Sequence, residues 1–306
     1  MRIRIFVAVL ALACSLPAIA QLRPGPVTLT IHPLKGGVYW VTGGASNTGF
    51  VVGDKGVVAI DAQMNADAAK QLLAAIGKVT PKPVNSIVVT HGDPDHVGGL
   101  TAFPSDVTIV AHENTQAQIR ASAADPNGGP VYGALYKALA TLPFKTIANS
   151  EKMVLDGVKM NILYLPAHSS GDLAIYLPSQ KVVFGGDILL TNTGKFPVIH
   201  IGGSSEGWVT AVTALLALDA NTYVPGHGAM ETKAQLRARL QDVEQRRVQI
   251  KQMVEQNKSL AEVEQALPEP GANPMFLTFT QTVYDELKRG YPPAQAPWAN
   301  VVKQNK

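Results

Sequence analysis

The sequence predicts a layered α/β fold, on three observations. Short β-rich segments alternate with helical segments in both halves of the 306-residue chain. Hydrophobic residues make up 46% and charged residues 16% of the chain, which is typical of a globular protein. The length suffices for one large domain, or for one domain with an appendage.

The N-terminus has the three-part pattern of a secretory signal peptide. Arg2 and Arg4 give a positive start, residues 5–16 are apolar, and Ala18-Ile19-Ala20 forms a small-residue cleavage site. The apolar run is too short to span a bilayer. We therefore predict that residues 1–20 are a signal peptide, and that the mature protein is periplasmic or secreted with no membrane span.

Cysteine usage and charge exclude several classes of function. Cys14, the only cysteine, lies inside this leader, so the mature chain would have neither a disulfide nor a reactive thiolate. Acylation of Cys14 in a lipoprotein is a minor alternative, because Ala11-Leu12-Ala13 matches the usual recognition box poorly. The net charge is +3 without a basic block, so we expect a small-molecule substrate and no nucleic acid.

The first half of the chain begins with β-rich segments that Gly and Asn interrupt, as in antiparallel hairpins. A helix is predicted over residues 65–78, where Ala68, Leu72 and Ile76 share one face. The strands predicted in this half are 27–31, 37–42, 48–52, 57–61, 86–89 and 108–111, and a second helix follows over 112–123. A loop is predicted over 125–130 because it is rich in Pro, Gly and Asn.

The second half continues the alternation and ends in helices. The segment 231–257 is amphipathic and predicts a long helix or helical pair that packs on the sandwich or forms a dimer contact. We therefore expect a catalytic domain over 21–228 and a C-terminal helical extension over 229–306, with the oligomeric state left open. The other predicted elements are strands at 152–155, 159–163, 173–176, 182–184 and 222–224, and a helix at 207–218.

The most informative segment is His91-Gly92-Asp93-Pro94-Asp95-His96, which follows the apolar run 87–89. Neutral imidazole and carboxylate are ligands that zinc accepts, and carboxylate also suits harder cations. Three later segments each place one further potential ligand beside turn residues at a predicted strand end. These ligands are His168, Asp187 and His227. Each alone is more typical of an ordinary turn, but together they indicate one metal centre.

In order and spacing these segments resemble the metallo-β-lactamase-fold hydrolase superfamily, whose signature is H-x-H-x-D-H followed by His, Asp and His. The resemblance runs from about Gly37 to Gly228 and implies a four-layer αβ/βα sandwich with two metal ions at one edge. Asp187 is similar to the bridging aspartate of the glyoxalase II-like and lactonase-like branches, whereas true β-lactamases usually have Cys or Ser there. The other ligands that it implies are His91, Asp95, His96, His168 and His227.

Asp93 departs from this pattern, since the family has histidine there. Residues two apart in extended backbone point the same way, so His91 and Asp93 can face one metal together with His168. The resemblance then places Asp95 and His96 at a second metal, which His227 completes. A carboxylate at this position is similar to the glutamate of the iron-binding flavodiiron branch, and it shifts the preference toward iron or manganese. Two zinc ions remain the favoured prediction.

The favoured function is an exported hydrolase that uses a dinuclear metal-bound hydroxide on an ester, thioester, lactone or amide bond. Asp95 and Asp187 would orient the nucleophile. The alternatives are an iron-dependent oxidoreductase acting on oxygen or sulfur compounds, and a non-catalytic metal-binding protein. Lys195, His200 and Trp208 follow the ligand Asp187 in a glycine-rich segment and are candidates for a substrate cleft.

Other side chains receive weaker predictions. His112 stands at a predicted helix start and is expected to be structural. His32 lies too early in the chain to reach the metal centre by the family pattern. An aromatic group before residue 152 is a candidate lid over the site. It consists of Tyr132, Tyr136 and Phe144.

Overall fold

The protein consists of two β-sheets packed face to face with helices on both outer sides, the four-layer sandwich that the sequence predicts. The computed structural model describes residues 27–126, 129–199, 202–272, 274 and 276–289. The predicted signal peptide and His200 therefore lie outside the described residues.

The first sheet has seven strands that lie side by side in sequence order. The first three pairings are antiparallel and the last three are parallel. The strands are β1 (Thr30–Pro33), β2 (Val38–Thr42), β3 (Thr48–Val52), β4 (Val57–Ile60), β5 (Val84–Val88), β6 (Thr108–His112) and β7 (Phe144–Ile147). Because parallel strands end at one edge, the residues that follow β4 and β5 come together there.

The second sheet has five strands in the order β12-β11-β10-β9-β8, and only the pair β11 and β12 is parallel. The strands are β8 (Glu151–Leu155), β9 (Val158–Tyr164), β10 (Leu173–Leu177), β11 (Val182–Phe184) and β12 (Thr222–Val224). All five residues of β10 are buried. This matches a central strand covered on both faces.

Helices cover the outer face of each sheet. The first sheet is covered by α1 (Ala66–Val79), α3 (Glu113–Ala124) and α4 (Gly129–Leu139), and the short α2 (Pro94–Val97) carries part of the predicted metal cluster. The second sheet is covered by α5 (Ser205–Ala217), α6 (Lys233–Glu255), α7 (Leu260–Ala266) and α8 (Phe279–Arg289). None of the helices in the described ranges combines the length and apolar character needed to cross a bilayer.

Strand alternation explains how the layers hold together. Along β4, Val58 and Ile60 point into the core between the sheets, while Val57 and Ala59 point toward α1. The N-terminus of α1 is capped by Asn65, whose side chain accepts a hydrogen bond from the Ala68 amide at 2.9 Å. Apolar residues therefore cover both faces of β4, as is typical of a strand buried between two layers.

Several details differ from the sequence-based expectations. Part of the predicted loop at 125–130 belongs to α4, which begins at Gly129. Tyr136 belongs to α4 and its side chain is buried in the core. Phe144 belongs to β7 and packs against the same core, so neither is a lid residue. No strand was predicted at β7, and α7 and α8 lie within the predicted helical extension but had no predicted bounds. In contrast, the long C-terminal helix is present as α6.

Candidate metal centre

The predicted ligands meet where strands of the two sheets end. His91 and Asp93 follow β5, and Asp95 and His96 lie in α2. The remaining ligands follow strands of the second sheet, namely His168 after β9, Asp187 after β11 and His227 after β12. Each side chain thus sits in a short connection supported by a buried strand.

His91, Asp93 and His168 form a first group, here called the first triad. Asp93 Oδ2 lies 3.4 Å from Nε2 of His91 and 3.4 Å from Nε2 of His168. Ligand atoms of a tetrahedral zinc site with bonds of about 2.0–2.1 Å are about 3.4 Å apart. The first triad therefore has the spacing that a single cation needs.

Asp95, His96 and His227 form a second triad. Asp95 Oδ2 lies 2.9 Å from His227 Nε2 and 3.6 Å from His96 Nε2. Asp187 stands between the triads, with Oδ1 at 3.2 Å from His96 Nε2 and Oδ2 at 3.7 Å from Nε2 of His168. The structure brings together all seven predicted ligands.

Hydrogen bonds set the tautomers of three histidines so that Nε2 faces the centre. His168 Nδ1 donates to the Val198 carbonyl oxygen at 2.9 Å, which can only accept. His96 Nδ1 lies 2.8 Å from Asp61 Oδ2, and His91 Nδ1 lies 3.1 Å from Thr90 Oγ1. Such partners of the outer ring nitrogen are typical of metal-binding histidines.

The charges and unsatisfied atoms of the site also fit bound cations. Among the described residues, Nε2 of His91 and of His96 and Oδ1 of Asp187 are buried without a hydrogen-bond partner. Burial lowers the pKa of His168, but the hydrogen bond to Asp93 and the charge of Asp187 outweigh it and raise this pKa to about 9. Burial raises the pKa of Asp187, yet the neighbouring histidines hold it well below its usual range. Divalent cations would satisfy these atoms and replace the protons.

Comparison with known families identifies the superfamily of the chain. A model of the metallo-beta-lactamase superfamily matches residues 41–227, which include every ligand named above. The chain belongs to the metallo-beta-lactamase superfamily. The matched range ends at His227, so α6, α7 and α8 lie beyond it.

Two relatives of the chain are named for different activities. The chain is 30% identical over 205 residues to 2,4-dinitroanisole O-demethylase subunit alpha of Nocardioides sp., covering 65% of this chain and 58% of that protein. It is 24% identical to a linear primary-alkylsulfatase of Pseudomonas sp., covering 57% of this chain and 40% of that protein. The chain thus spans roughly half the length of these two relatives.

Solved structures support the fold. A metallo-beta-lactamase from Pontibacter korlensis superposes with a TM-score of 0.59 at 23% identity, over 71% of this chain and 99% of that one. The sec-alkylsulfatase Pisa1 from Pseudomonas sp. gives a TM-score of 0.64 at 17% identity, over 89% of this chain and 52% of that one. At these identities the likeness concerns the fold alone.

Asp61 supports the superfamily ligands but was missed by the sequence analysis. It is buried and accepts hydrogen bonds from the Thr90 amide at 2.7 Å, from Thr90 Oγ1 at 2.8 Å and from His96 Nδ1 at 2.8 Å. Its backbone has φ +61°, in the left-handed region that aspartate and asparagine tolerate better than most residues. The one signal in the sequence was a carboxylate at the end of a predicted strand.

Two other polar residues fix the ligand loops. Asn47 Nδ2 donates to the Pro225 carbonyl at 3.0 Å and to the Gly228 carbonyl at 2.9 Å, on both sides of His227. A Cβ at Gly226 would overlap Asp187 Oδ1, so glycine is required there. Asp172 holds the loop of His168 by accepting from the amides of residues 167 and 169.

The predicted substrate residues do not gather at the centre. Trp208 is fully buried and donates from Nε1 to the Ile188 carbonyl at 2.8 Å, so its prediction as a cleft residue is wrong. Lys195 pairs with Asp242 of α6 at 3.0 Å, and no described contact joins it to a ligand. His200 lies outside the described residues. His112 caps α3 by accepting from the Asn114 amide, which confirms its structural role.

Proposed function

We propose that the protein is a hydrolase that binds two divalent cations, zinc being the favoured pair, and cleaves an ester, thioester, lactone or amide bond. The observation that carries this proposal is the arrangement of two triads on either side of Asp187. Bound cations in such a pair supply Lewis acidity and lower the pKa of a water molecule. The membership of the superfamily supports the same chemistry.

The two triads differ in exposure, and this indicates where substrate enters. In the first triad the side chains of His91, Asp93 and His168 are 1%, 12% and 2% exposed. In the second triad His96 is fully buried, but Asp95 and His227 are both 18% exposed. We infer that substrate approaches the second triad. There Asp95 and the adjacent Asp187 would orient the attacking nucleophile, since their carboxylates are the acceptors nearest the open side.

The substrate class is tested with a panel that includes the chemistry named for the relatives. The panel contains a β-lactam, a thioester, a lactone, a phosphodiester, an alkyl sulfate and a nitroaryl methyl ether. We expect two cations per chain by elemental analysis and turnover of at least one acyl substrate. Turnover of the sulfate or the ether alone would keep the hydrolase and overturn the acyl assignment.

Variants test the location of the centre. His168→Ala and Asp187→Ala should each abolish turnover and lower metal occupancy, because each removes a ligand. Lys195→Ala is the matched control and should leave both unchanged, since its partner is Asp242. Unchanged occupancy and turnover in both ligand variants would show that the centre is misplaced.

An iron-dependent oxidoreductase is the second candidate, and the observation that favours it is the carboxylate of Asp93 in the first triad. It predicts iron after anaerobic purification, oxygen uptake, and no hydrolysis of the panel. That result would overturn the favoured function. If cations bind without either activity, the non-catalytic alternative holds.

We also propose export of the mature protein, on the basis of the predicted signal peptide. N-terminal sequencing of the protein from fractionated cells should give Gln21 as the first residue in the periplasm or medium. A chain that starts at Met1 in the cytosol would contradict export.

A further inference from the structure

The position at which this chain departs from the superfamily signature, Asp93, has its own supporting side chain. Gln118 of α3 donates a hydrogen bond from Nε2 to Asp93 Oδ1 at 3.2 Å. The other carboxylate oxygen, Oδ2, is the one that lies 3.4 Å from Nε2 of both His91 and His168. The two oxygens of Asp93 therefore have separate roles.

The side-chain amide of Gln118 is buried, and its orientation leaves one of its polar atoms without a hydrogen bond. Gln118 is only 5% exposed, and its Oε1 is buried without a hydrogen-bond partner among the described residues. A buried unsatisfied carbonyl is unfavourable, so the gain must come from the N–H that faces Asp93. A carboxylate accepts such a bond more strongly than a neutral group does.

The residue before Asp93 makes room for this contact. A Cβ at Gly92 would lie 2.7 Å from Gln118 Cδ, closer than real Cβ contacts allow. The Gly92 carbonyl in turn accepts from Tyr136 Oη of α4 at 3.1 Å. The segment between His91 and Asp93 is thus held by one side chain from each of two adjacent helices.

Helix α3 also holds the loop that carries His168, the third member of the first triad. Thr115 Oγ1 donates to the Gly171 carbonyl at 3.1 Å, and Asn114 Nδ2 donates to the Ser170 carbonyl at 2.9 Å. These carbonyls belong to the two residues that come shortly after His168 in the chain. The first turns of α3 therefore contact both segments that form the first triad, the one after β5 and the one after β9.

We propose that Gln118 is a positioning residue that makes Asp93 a one-oxygen metal ligand and adapts the first triad to a carboxylate in place of the family histidine. The inference rests on the proposed metal centre but not on any particular reaction. Its N–H stabilises the negative charge on Oδ1 and leaves Oδ2 for the cation. An imidazole at position 93 would need the opposite partner, an acceptor for its outer N–H.

Because aspartate needs a donor at residue 118 and histidine would need an acceptor there, the experiment exchanges donor for acceptor. It measures cation affinity and not turnover. Metal-free protein is titrated with Zn²⁺ against a chromophoric chelator, and the two binding steps are fitted separately. Gln118→Glu exchanges the N–H donor beside Asp93 for an acceptor, and its added charge attracts the cation whichever residue stands at position 93. The Gln118→Glu change should therefore be about 10- to 100-fold less favourable for one binding step with aspartate at position 93 than in the Asp93→His background, where the introduced carboxylate would accept from the imidazole.

Controls separate this effect from damage to the helix. Gln116→Glu makes the same charge change in α3 and should leave both steps as in the wild type. Gly92→Ala should weaken the cation-binding step of the first triad by displacing the amide, and it serves as an independent test if Gln118→Glu does not fold. Far-UV circular dichroism of each metal-free variant reports folding.

The outcomes distinguish this inference from the proposed function. If the wild type binds cations but hydrolyses nothing, the proposed hydrolase fails and the role of Gln118 is still measured. If the wild type binds and hydrolyses, but Gly92→Ala binds as the wild type does, the inference is wrong. An equal effect of Gln118→Glu on cation affinity with aspartate and with histidine at position 93 would also overturn it.

Discussion

The replacement Asp61→Asn tests how a buried carboxylate controls the tautomer of His96. Asp61 is 2% exposed and accepts three hydrogen bonds, one at Oδ1 from the Thr90 amide and two at Oδ2. Asparagine is nearly the same size and tolerates the left-handed φ of this residue. The substitution therefore changes the hydrogen bonding with little change in packing or backbone strain.

Neither orientation of the new amide satisfies all three donors. If its oxygen replaces Oδ2, its NH₂ group faces the backbone N–H of Thr90. Both groups are donors, so this hydrogen bond is lost. If its NH₂ group replaces Oδ2, His96 Nδ1 must lose its proton, and the proton moves to Nε2. A protonated Nε2 has no lone pair for a cation.

The expected magnitudes follow from this geometry. One lost hydrogen bond to a charged acceptor costs about 1.5–3 kcal/mol of unfolding free energy in the metal-free protein. Loss of the partner of a metal-binding histidine weakens cation affinity by about 10- to 100-fold. The weakening should concern the second triad, to which His96 belongs.

The assay combines denaturant unfolding of metal-free protein with the chelator titration. Asp156→Asn is a matched control, because Asp156 also has a left-handed φ of +52° and accepts from Asn85 Nδ2 at 2.7 Å, but contacts no ligand in the described residues. Asp61→Asn protein that binds both cations with wild-type affinity would refute the tautomer argument.

Three further predictions concern pH, core packing and loop support. Because the pKa of His168 is raised to about 9 in the metal-free protein, its protonated form stabilises the fold below pH 6.5, and this contribution is lost as pH rises toward 9. Cation affinity should increase over the same pH range, because the proton on His168 must leave before a cation binds. Denaturant unfolding and Zn²⁺ titration at about pH 6, 7.5 and 9 measure the stability and the affinity. A constant affinity would contradict the prediction. Trp208→Ala should cost about 3–5 kcal/mol in denaturant unfolding, and a loss below about 1 kcal/mol would mean that Trp208 is not a core residue. Asn47→Ala removes two hydrogen bonds around His227 and should weaken the cation of the second triad preferentially; equal losses in both steps of a Zn²⁺ titration would argue against this role.

The fold class and the seven candidate ligands that the structure brings together were predictable from the sequence because their signals are local. Apolar runs mark the buried strands, and the ligands follow these runs beside glycine or proline. Other elements were harder to predict. The start of α4 at Gly129 and Pro130 looks like a loop, although proline is common in the first turn of a helix.

Trp208 shows why exposure was not predictable. It lies near a glycine-rich segment and close in sequence to Asp187, which suggested a cleft. In the fold it packs in a core that α5 shares with α6 and α8, and these last two helices come much later in the chain. Only the tertiary contacts decide whether an aromatic side chain is part of a core or lines a site.

By itself, the sequence predicted which side chains form the candidate metal centre and that they stand at strand ends. The tertiary structure decided which side chains support them, because Asn47, Asp61 and Gln118 are ordinary polar residues until folding places them beside a ligand. Each is separated from its partner by many residues of chain. A hydrogen bond requires a donor and an acceptor at a short distance in space, and a local sequence pattern does not predict which distant residues meet in this way.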